Sequence, residues 1–398
     1  MNEKERVRLG RALSSLCVFR GVSETCALVS LRAFLTTGDL EAYGAFVHGL
    51  CADGCSLSEY LLRTLLSDEN PYIAAAAQGK ELPAVLRENA GAELSVLSRL
   101  THLTPEELCA DADSDYLPRF DNTPTDLAAV YADRLSKLHR FGYGIFSTAG
   151  MFRLRNDEIV PVTAADPILP EQFVGYDDAR RQVLDNTRAL LEGRPAANLL
   201  LYGDAGTGKS STVKACANLL RDEGIRLIEL RKDQLHMLPY VMGRIKDQPL
   251  KFILFIDDLS FTKNDDSFSM LKAALEGSAS AKAPNAVIYA TSNRRHIVKE
   301  TFGDRAGDDV HRGDTLQELM SLSDRFGKTV YFPKPDKQLY LSIVRALAEK
   351  QGVRVPTPEL ETAAEAFALR KGGRSPRAAE QFIHSLLAER PSSCLQNP

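Results

Sequence analysis

One stretch constrains the fold more than any other: Leu199-Leu-Leu-Tyr202 running into Gly203-Asp-Ala-Gly-Thr-Gly-Lys-Ser210. An apolar strand, then G-x-x-x-x-G-K-S, then the helical spacing of Val213, Cys216 and Leu220 demands a strand–loop–helix unit. Glycines let the backbone fold around an anion with its N–H groups turned inward. Gly203, Asp204, Ala205, Gly206, Thr207, Gly208, Lys209, Ser210 and Ser211 therefore form a candidate phosphate cradle. Lys209 offers a cation to the β- and γ-phosphates, Ser210 offers a hydroxyl to Mg2+, and the helix starting near Lys209 adds its positive end. The competing reading, a chance glycine-rich turn, is disfavoured by the strand and helix on either side.

The pattern around this unit extends it. From Asn198 onward short apolar runs alternate with amphipathic segments: Asn198–Tyr202, Ile225–Leu230, Phe252–Asp257, Ala286–Thr291 and Lys328–Phe332. Short continuous strands separated by helices predict a parallel sheet buried on both faces. After Pro335 the chain reads as wholly helical, with one stripe at Leu339, Ile343 and Leu347 and another at Phe382, Ile383 and Leu386. Before it, residues 1 to about 140 also read as helical, as in Leu57, Tyr60, Leu61 and Leu65. Residues 142–155 bring aromatic and β-branched residues between glycines and suggest a short hairpin. Residues 156–172, with Pro161, Pro167 and Pro170, read as loop. The expected domains are thus 1–165, mainly helical; 166–334, the α/β nucleotide-binding part; and 335–398, a helical lid.

Composition excludes several classes. With 398 residues, 44% of them hydrophobic and a formal net charge of −4, the chain is an ordinary globular one with room for two or three domains. No apolar run approaches the roughly 18–20 residues of a membrane span. The charged start, Met1 to Glu5, leads into no apolar stretch, so neither a signal peptide nor a membrane is expected. Seven scattered cysteines fit a reducing cytoplasm. His48, Cys51 and Cys55 lack a second ligand pair at matching spacing, and packed thiols are the better reading. Residues 1–165 carry 16 Lys+Arg against 22 Asp+Glu, and the remainder 33 against 31. Neither part has the basic excess of a phosphate-tracking nucleic-acid module, so nucleic acid is not favoured.

Further motifs supply candidate chemistry. Phe252-Ile-Leu-Phe-Ile-Asp257-Asp258 is a buried strand ending in two carboxylates. Asp257 is placed to hold Mg2+ together with Ser210, and Asp258 to orient an attacking water; the competing role is a helix N-cap. Asn293 ends the next strand and offers an amide to that water or to the γ-phosphate, although an Asn in a turn is common. Arg325, just before the last strand, is placed away from its own nucleotide and toward a neighbour's, as an arginine finger supplied in trans. A salt bridge with Asp324 is the alternative.

Ser375 and Pro376 open the last helix and put Arg377 in its first turn, where the dipole disfavours a cation unless an anion sits nearby. Arg377 is the first choice for a lid contact to ATP and Arg374 the second, against an ordinary solvated arginine. Phe173-Val174-Gly175-Tyr176 could wrap adenine or simply pack as a linker. Tyr240-Val-Met-Gly243 has the composition of a polypeptide-gripping loop, but an ordinary helical segment is favoured.

Taken in order, the loop, the acidic strand end, Asn293, Arg325 and Arg377 resemble the AAA+ ATPase superfamily. Within it the chain looks similar to a poorly characterised family of bacterial AAA+ ATP-binding proteins. The segments that carry this are Leu230-Arg-Lys-Asp-Gln-Leu, Phe252-Ile-Leu-Phe-Ile-Asp-Asp-Leu-Ser-Phe, Tyr289-Ala-Thr-Ser-Asn-Arg-Arg-His and Ser321-Leu-Ser-Asp-Arg-Phe-Gly. The resemblance covers about 165–390. It implies a five-stranded sheet of order 5-1-4-3-2, a helical lid, ATP with Mg2+, and assembly into a ring or filament. Many AAA+ proteins carry Glu where this chain has Asp258. The shorter carboxylate retreats by about an ångström, and such misplacement can cost on the order of a hundredfold in rate.

Three functions are therefore in play. The leading one is an ATPase in an oligomer acting on a protein partner. The second is a slow nucleotide-dependent switch or scaffold, which Asp258 favours. The third is a DNA-associated loader, for which Arg294, Arg295 and His296 argue and the net −6 of residues 1–165 argues against.

Overall fold

The computed structural model describes Met1–Glu389 except residues 53, 110–115, 164–168, 170–172, 260–265, 277–282 and 294–324. The chain divides into two compact units, Met1–Ala149 with Asp247–Leu250, and Gly150–Lys246 with Lys251–Pro398.

The first unit is helical. Its longer helices are Glu3–Ser14, Cys26–Thr37, Leu40–Cys51, Leu57–Ser67, Ala84–Leu100 and Leu127–Ser136. Their starts are written in the sequence: Asn2 and Glu5 form a capping box, and Asp39, Ser56, Asn70 and Asp126 each accept a backbone N–H of the turn they open. The core gathers Phe19, Leu31, Phe46, Leu61, Leu97 and Tyr131, with Phe19 edge-on to Tyr131 at 5.2 Å.

Glu93 is buried on the inner face of the helix Ala84–Leu100. Its carboxylate accepts the backbone N–H groups of Cys17, Val18 and Phe19 and the Cys17 thiol. Burial pushes its pKa up, but the N–H groups of Phe19 and Cys17, the thiol and Val18 outweigh it and hold the carboxyl below its ordinary value. The expectation of packed thiols at Cys51 and Cys55 is corrected. The two are joined as a disulfide, brought together where Cys55, at φ +62°, turns the chain back after the helix Leu40–Cys51.

The second unit is built on one sheet: β1 (Met151–Arg155), β2 (Glu158–Pro161), β3 (Leu199–Gly203), β4 (Ile225–Leu230), β5 (Lys251–Ile256), β6 (Ala286–Ser292) and β7 (Lys328–Phe332). The order is β2-β1-β4-β5-β6-β3-β7. The five strands anticipated from sequence stand in the order 5-1-4-3-2, all parallel. Burial of both faces explains their continuous apolar character; Phe252 to Ile256 are fully enclosed.

The expectation of a five-stranded sheet is corrected to seven. β1 pairs parallel to β4, and β2 pairs antiparallel to β1. The hairpin lies at 151–161 rather than 142–155. Its two-residue turn is Asn156-Asp157, both at positive φ, the conformation that matches strand twist and that Asn and Asp tolerate.

Helices Asp177–Leu191, Lys209–Leu219, Leu238–Ile245 and Asp266–Glu276 link the strands. Helices Lys337–Lys350, Thr357–Arg370 and Pro376–Glu389 follow β7 and share a core of Tyr340, Val344, Ala364, Ala379, Phe382 and Ile383. Val174, Leu339 and Leu347 pack against that core. No helix among the described residues is long and apolar enough to cross a membrane.

Candidate functional site

The strand order brings the ends of β3, β5 and β6 side by side, and the candidate residues sit on those ends. β3 closes at Gly203, whose φ is +141°; a Cβ there would run into the Phe332 carbonyl of β7. Only glycine fits this position. Gly206 and Gly208 are also left-handed, and Gly208 is the N-cap of the helix Lys209–Leu219. A Cβ on Gly208 would meet no protein atom and would stand in the cradle itself.

Lys209 is almost fully buried. Its ammonium donates to the carbonyls of Gly203 and Asp204, both at 2.7 Å, and to Asn293 Oδ1 at 3.2 Å. Burial lowers its pKa from the ordinary lysine value, opposed by the charges of Asp204, Asp257 and Asp258.

At the next strand end one carboxylate oxygen is shared. Asp257 Oδ1 accepts the Ser210 hydroxyl and the Thr291 hydroxyl, each at 2.6 Å. It also takes the Asp258 N–H at 3.1 Å, an N–H that Thr291 Oγ1 accepts at 2.9 Å. Asp258 is exposed and stands at φ +50°, a region Asp tolerates better than most residues. Asn293 Nδ2 donates to its Oδ1 at 2.9 Å. Lys209, Asn293, Asp258, Thr291, Asp257 and Ser210 thus form one connected polar network.

This network lines one end of a cavity of about 590 Å³, a size suited to a small-molecule ligand. Ala205, Gly206, Thr207, Gly208 and Ser211 line it from the loop, and Phe173, Val174, Tyr176 and Arg180 from the segment before β3. Leu347, Lys350, Gln351, Pro376, Arg377 and Glu380 line it from the helices after β7. Gly203 and Asp204 border an adjoining depression with Tyr202, Asn293 and Tyr331. Gly175, at φ +77°, lies with its Cα against Leu339 and not on the cavity wall. Tyr176 donates its hydroxyl to the Pro333 carbonyl at 2.7 Å, and burial pushes its pKa up to about 12.

The two lid arginines differ in place. Arg374 makes a bidentate pair with Glu365, at 2.8 and 2.7 Å. Arg377 lines the cavity, and its backbone N–H donates to the Gly206 carbonyl at 3.3 Å. Arg325 is three residues ahead of β7. Register pairs Lys328 with Leu199 and Phe332 with Gly203, so Arg325 lies at the opposite end of the strand pair from the loop. Tyr240 is exposed on the helix Leu238–Ile245, whose other face buries Val241, Met242 and Ile245. Asp324 and the cluster Arg294, Arg295 and His296 lie outside the described residues.

Sequence reasoning passed over Thr291, two residues before Asn293 on an apolar strand, because only its contacts with Asp257 and Asp258 set it apart. It also passed over Arg180 and Gln351, for which spacing gives no signal at all, whereas Phe173 belongs to the segment read as a candidate adenine turn.

Residues 147–390 match the family described as "Protein of unknown function (DUF815)". A 72-residue stretch is 44% identical to the ORC1-type DNA replication protein 14 of Haloarcula marismortui, 18% of this chain and 16% of that one. Among solved structures, the Thermotoga maritima RuvB Holliday junction branch migration motor is similar at 15% identity and a TM-score of 0.38, over 55% of this chain and 63% of that one. A katanin structure, titled for its self-assembly, is similar at 16% identity and a TM-score of 0.34, over 58% and 76%. The chain thus spans less than two thirds of the replication protein and of RuvB.

Proposed function

We propose, for a chain that belongs to the DUF815 family and has the AAA+ fold, that the cavity beside β3 binds ATP with Mg2+ and hydrolyses it. The turnover drives conformational work on a protein partner within an oligomer. The observation that carries this reading is the convergence of Lys209, Ser210, Asp257, Asp258 and Asn293 on the mouth of one glycine loop.

The residues fit the ligand. The cradle at Gly208 has space that no protein atom fills. Lys209 presents a buried ammonium that burial disfavours and phosphate oxygens would favour. Its three protons now go to Gly203, Asp204 and Asn293, so phosphate competes with protein acceptors for them. Ser210 and Asp257 offer the hard oxygen donors that Mg2+ takes, and they are the residues that would hold it. Mg2+ would supply charge neutralisation to the phosphates. Thr291 fixes the Asp257 carboxylate and the Asp258 backbone together, so both acids are oriented by one hydroxyl.

Asp258 orients the attacking water once its carboxylate is released from Asn293, and the freed Asn293 amide faces the same water. Ala205, Gly206, Thr207 and Ser211 complete the loop around the phosphates. Val174 lines the base end, with Gly175 setting the turn behind it. Arg377 reaches the phosphates from the last helix. Arg325, remote from its own loop, serves a neighbouring copy.

A slower switch-like protein is the second reading. It is favoured by the Asp258–Asn293 hydrogen bond together with the short Asp side chain. Phosphate release from ATP with Mg2+ separates the two. The ATPase reading expects turnover in the wild type that Asp258→Asn and Arg325→Ala each abolish, with partial recovery when the two variants are mixed. Binding with no turnover above background in any sample supports the switch.

A further inference from the structure

Cys51 and Cys55 stand apart from the other cysteines. Among the described residues Cys17, Cys26, Cys109 and Cys216 are free thiols, and these two alone are joined. A disulfide stabilises a fold mainly by closing a loop in the unfolded chain, more so the longer the loop. This one joins residues only four apart, the weak end of that scale. A chain that keeps its other described thiols free is not one stapled by a disulfide framework.

The backbone brings the two sulfurs together without help from the bond between them. Cys51 ends the helix Leu40–Cys51. The Cys55 N–H donates to the Leu50 carbonyl at 3.0 Å, and the left-handed turn at Cys55 leaves the two Cα atoms 4.0 Å apart. The Cys55 carbonyl accepts the Asp121 N–H, and the Asp121 carbonyl accepts the Leu57 N–H, both at 2.9 Å. Ser56 caps the next helix by accepting the Glu59 N–H. None of these bonds involves sulfur, so the turn holds when the disulfide opens.

The pair is also open to solvent. Cys51 is exposed and Cys55 half-buried, with exposed Ala52 and Gly54 between them. Thiol–disulfide exchange needs that access. Three of the free thiols are poorer nucleophiles: burial raises the pKa of Cys109 and Cys216, and the hydrogen bond to Glu93 raises that of Cys17.

We propose that Cys51 and Cys55 form a reversible redox site that exchanges with small dithiols and disulfides. To open it, one thiolate of a dithiol attacks the exposed Cys51 Sγ. The bond to Cys55 breaks, and Cys55 leaves as a thiolate that takes a proton from solvent. The second thiolate of the dithiol then attacks its own sulfur in the mixed disulfide and releases Cys51, which is protonated in turn. The dithiol gives up two electrons and becomes a disulfide, and the pair gains them. To close it, the Cys51 thiolate attacks a disulfide oxidant, and Cys55 displaces the second half of that oxidant. The site belongs to the helical unit and stands whether or not the Gly203–Ser211 loop binds a nucleotide.

The test uses the full chain near neutral pH without denaturant. The chain is oxidised with glutathione disulfide, then reduced with dithiothreitol, and samples of each are capped with N-ethylmaleimide and mapped by mass spectrometry. After oxidation Cys51 and Cys55 are linked to each other and take no maleimide. After reduction each takes one, and the far-UV circular dichroism spectrum is unchanged. In Cys55→Ser the same oxidant leaves a glutathione adduct on Cys51, because the displacing thiol is gone. The proposal is overturned if the two sulfurs are capped only after urea unfolds the chain, or if reduction abolishes the folded spectrum. It is equally overturned if glutathione disulfide leaves Cys51 and Cys55 as two thiols or as two separate adducts in the wild type.

Discussion

Removing the Thr291 hydroxyl while keeping its shape isolates the contact that ties the two acids together. In Thr291→Val the half-buried Asp257 Oδ1 loses one of its two 2.6 Å donors and the Asp258 N–H loses its 2.9 Å acceptor. A hydrogen bond to a charged group is worth about 1.5–3 kcal/mol and a neutral one about 1 kcal/mol. The expected loss of stability is therefore about 2–4 kcal/mol. Ser210 remains on Asp257, and Lys209 keeps all three of its acceptors, so ATP affinity should change by less than about threefold.

Turnover should fall more, by about 10- to 100-fold, because Asp258 loses the anchor of its backbone and misplacement near an ångström costs on that order. Thr291→Ser, which keeps the hydroxyl, should recover most of both. Urea unfolding reads the first quantity and single-turnover phosphate release the second. Wild-type turnover in Thr291→Val, with stability within about 0.5 kcal/mol of wild type, would refute the reasoning, because surface-like substitutions fall in that range.

Two further outcomes test other contacts. Arg377→Ala should weaken ATP binding about 10-fold through loss of a cation at the cavity, whereas Arg374→Ala, which breaks only the pair with Glu365, should leave it within about twofold; titration with ATP compares them. Glu93 is held below its ordinary carboxyl value in the folded chain. Its stabilisation is therefore complete above the unfolded value near 4.5 and is lost as pH falls through the folded value. Urea midpoints measured from pH 7 to pH 3 should drop less steeply for Glu93→Gln than for wild type.

What the sequence revealed follows the range of the interactions involved. The five central strands were legible because each is a continuous apolar run buried on both faces. Their order followed from the resemblance that the loop and acidic strand end carried. The pairing of β1 with β4 was not legible, because residues 151–153 and 227–229 meet only through a long connection. The residue types suggest a hairpin at 142–155 and a loop after it, and give neither the true strands at 151–161 nor the edge they join.

In the site, Ser210, Asp257, Asp258 and Asn293 announce themselves at strand and loop ends. Thr291 does not, since a threonine on a β-strand is ordinary until its neighbours are known. Arg374 and Arg377 look alike in sequence; Glu365, nine residues before the first of them on another helix, is what separates them.

The central claim is that the Gly203–Ser211 loop is a nucleotide site. Calorimetric titration of the full chain with ATP in the presence of Mg2+ tests it most directly, alongside Lys209→Ala shown by circular dichroism to be folded. One ATP bound per chain in the wild type, lost in Lys209→Ala, is the predicted result. No binding in the wild type, or the same binding in Lys209→Ala, would contradict it.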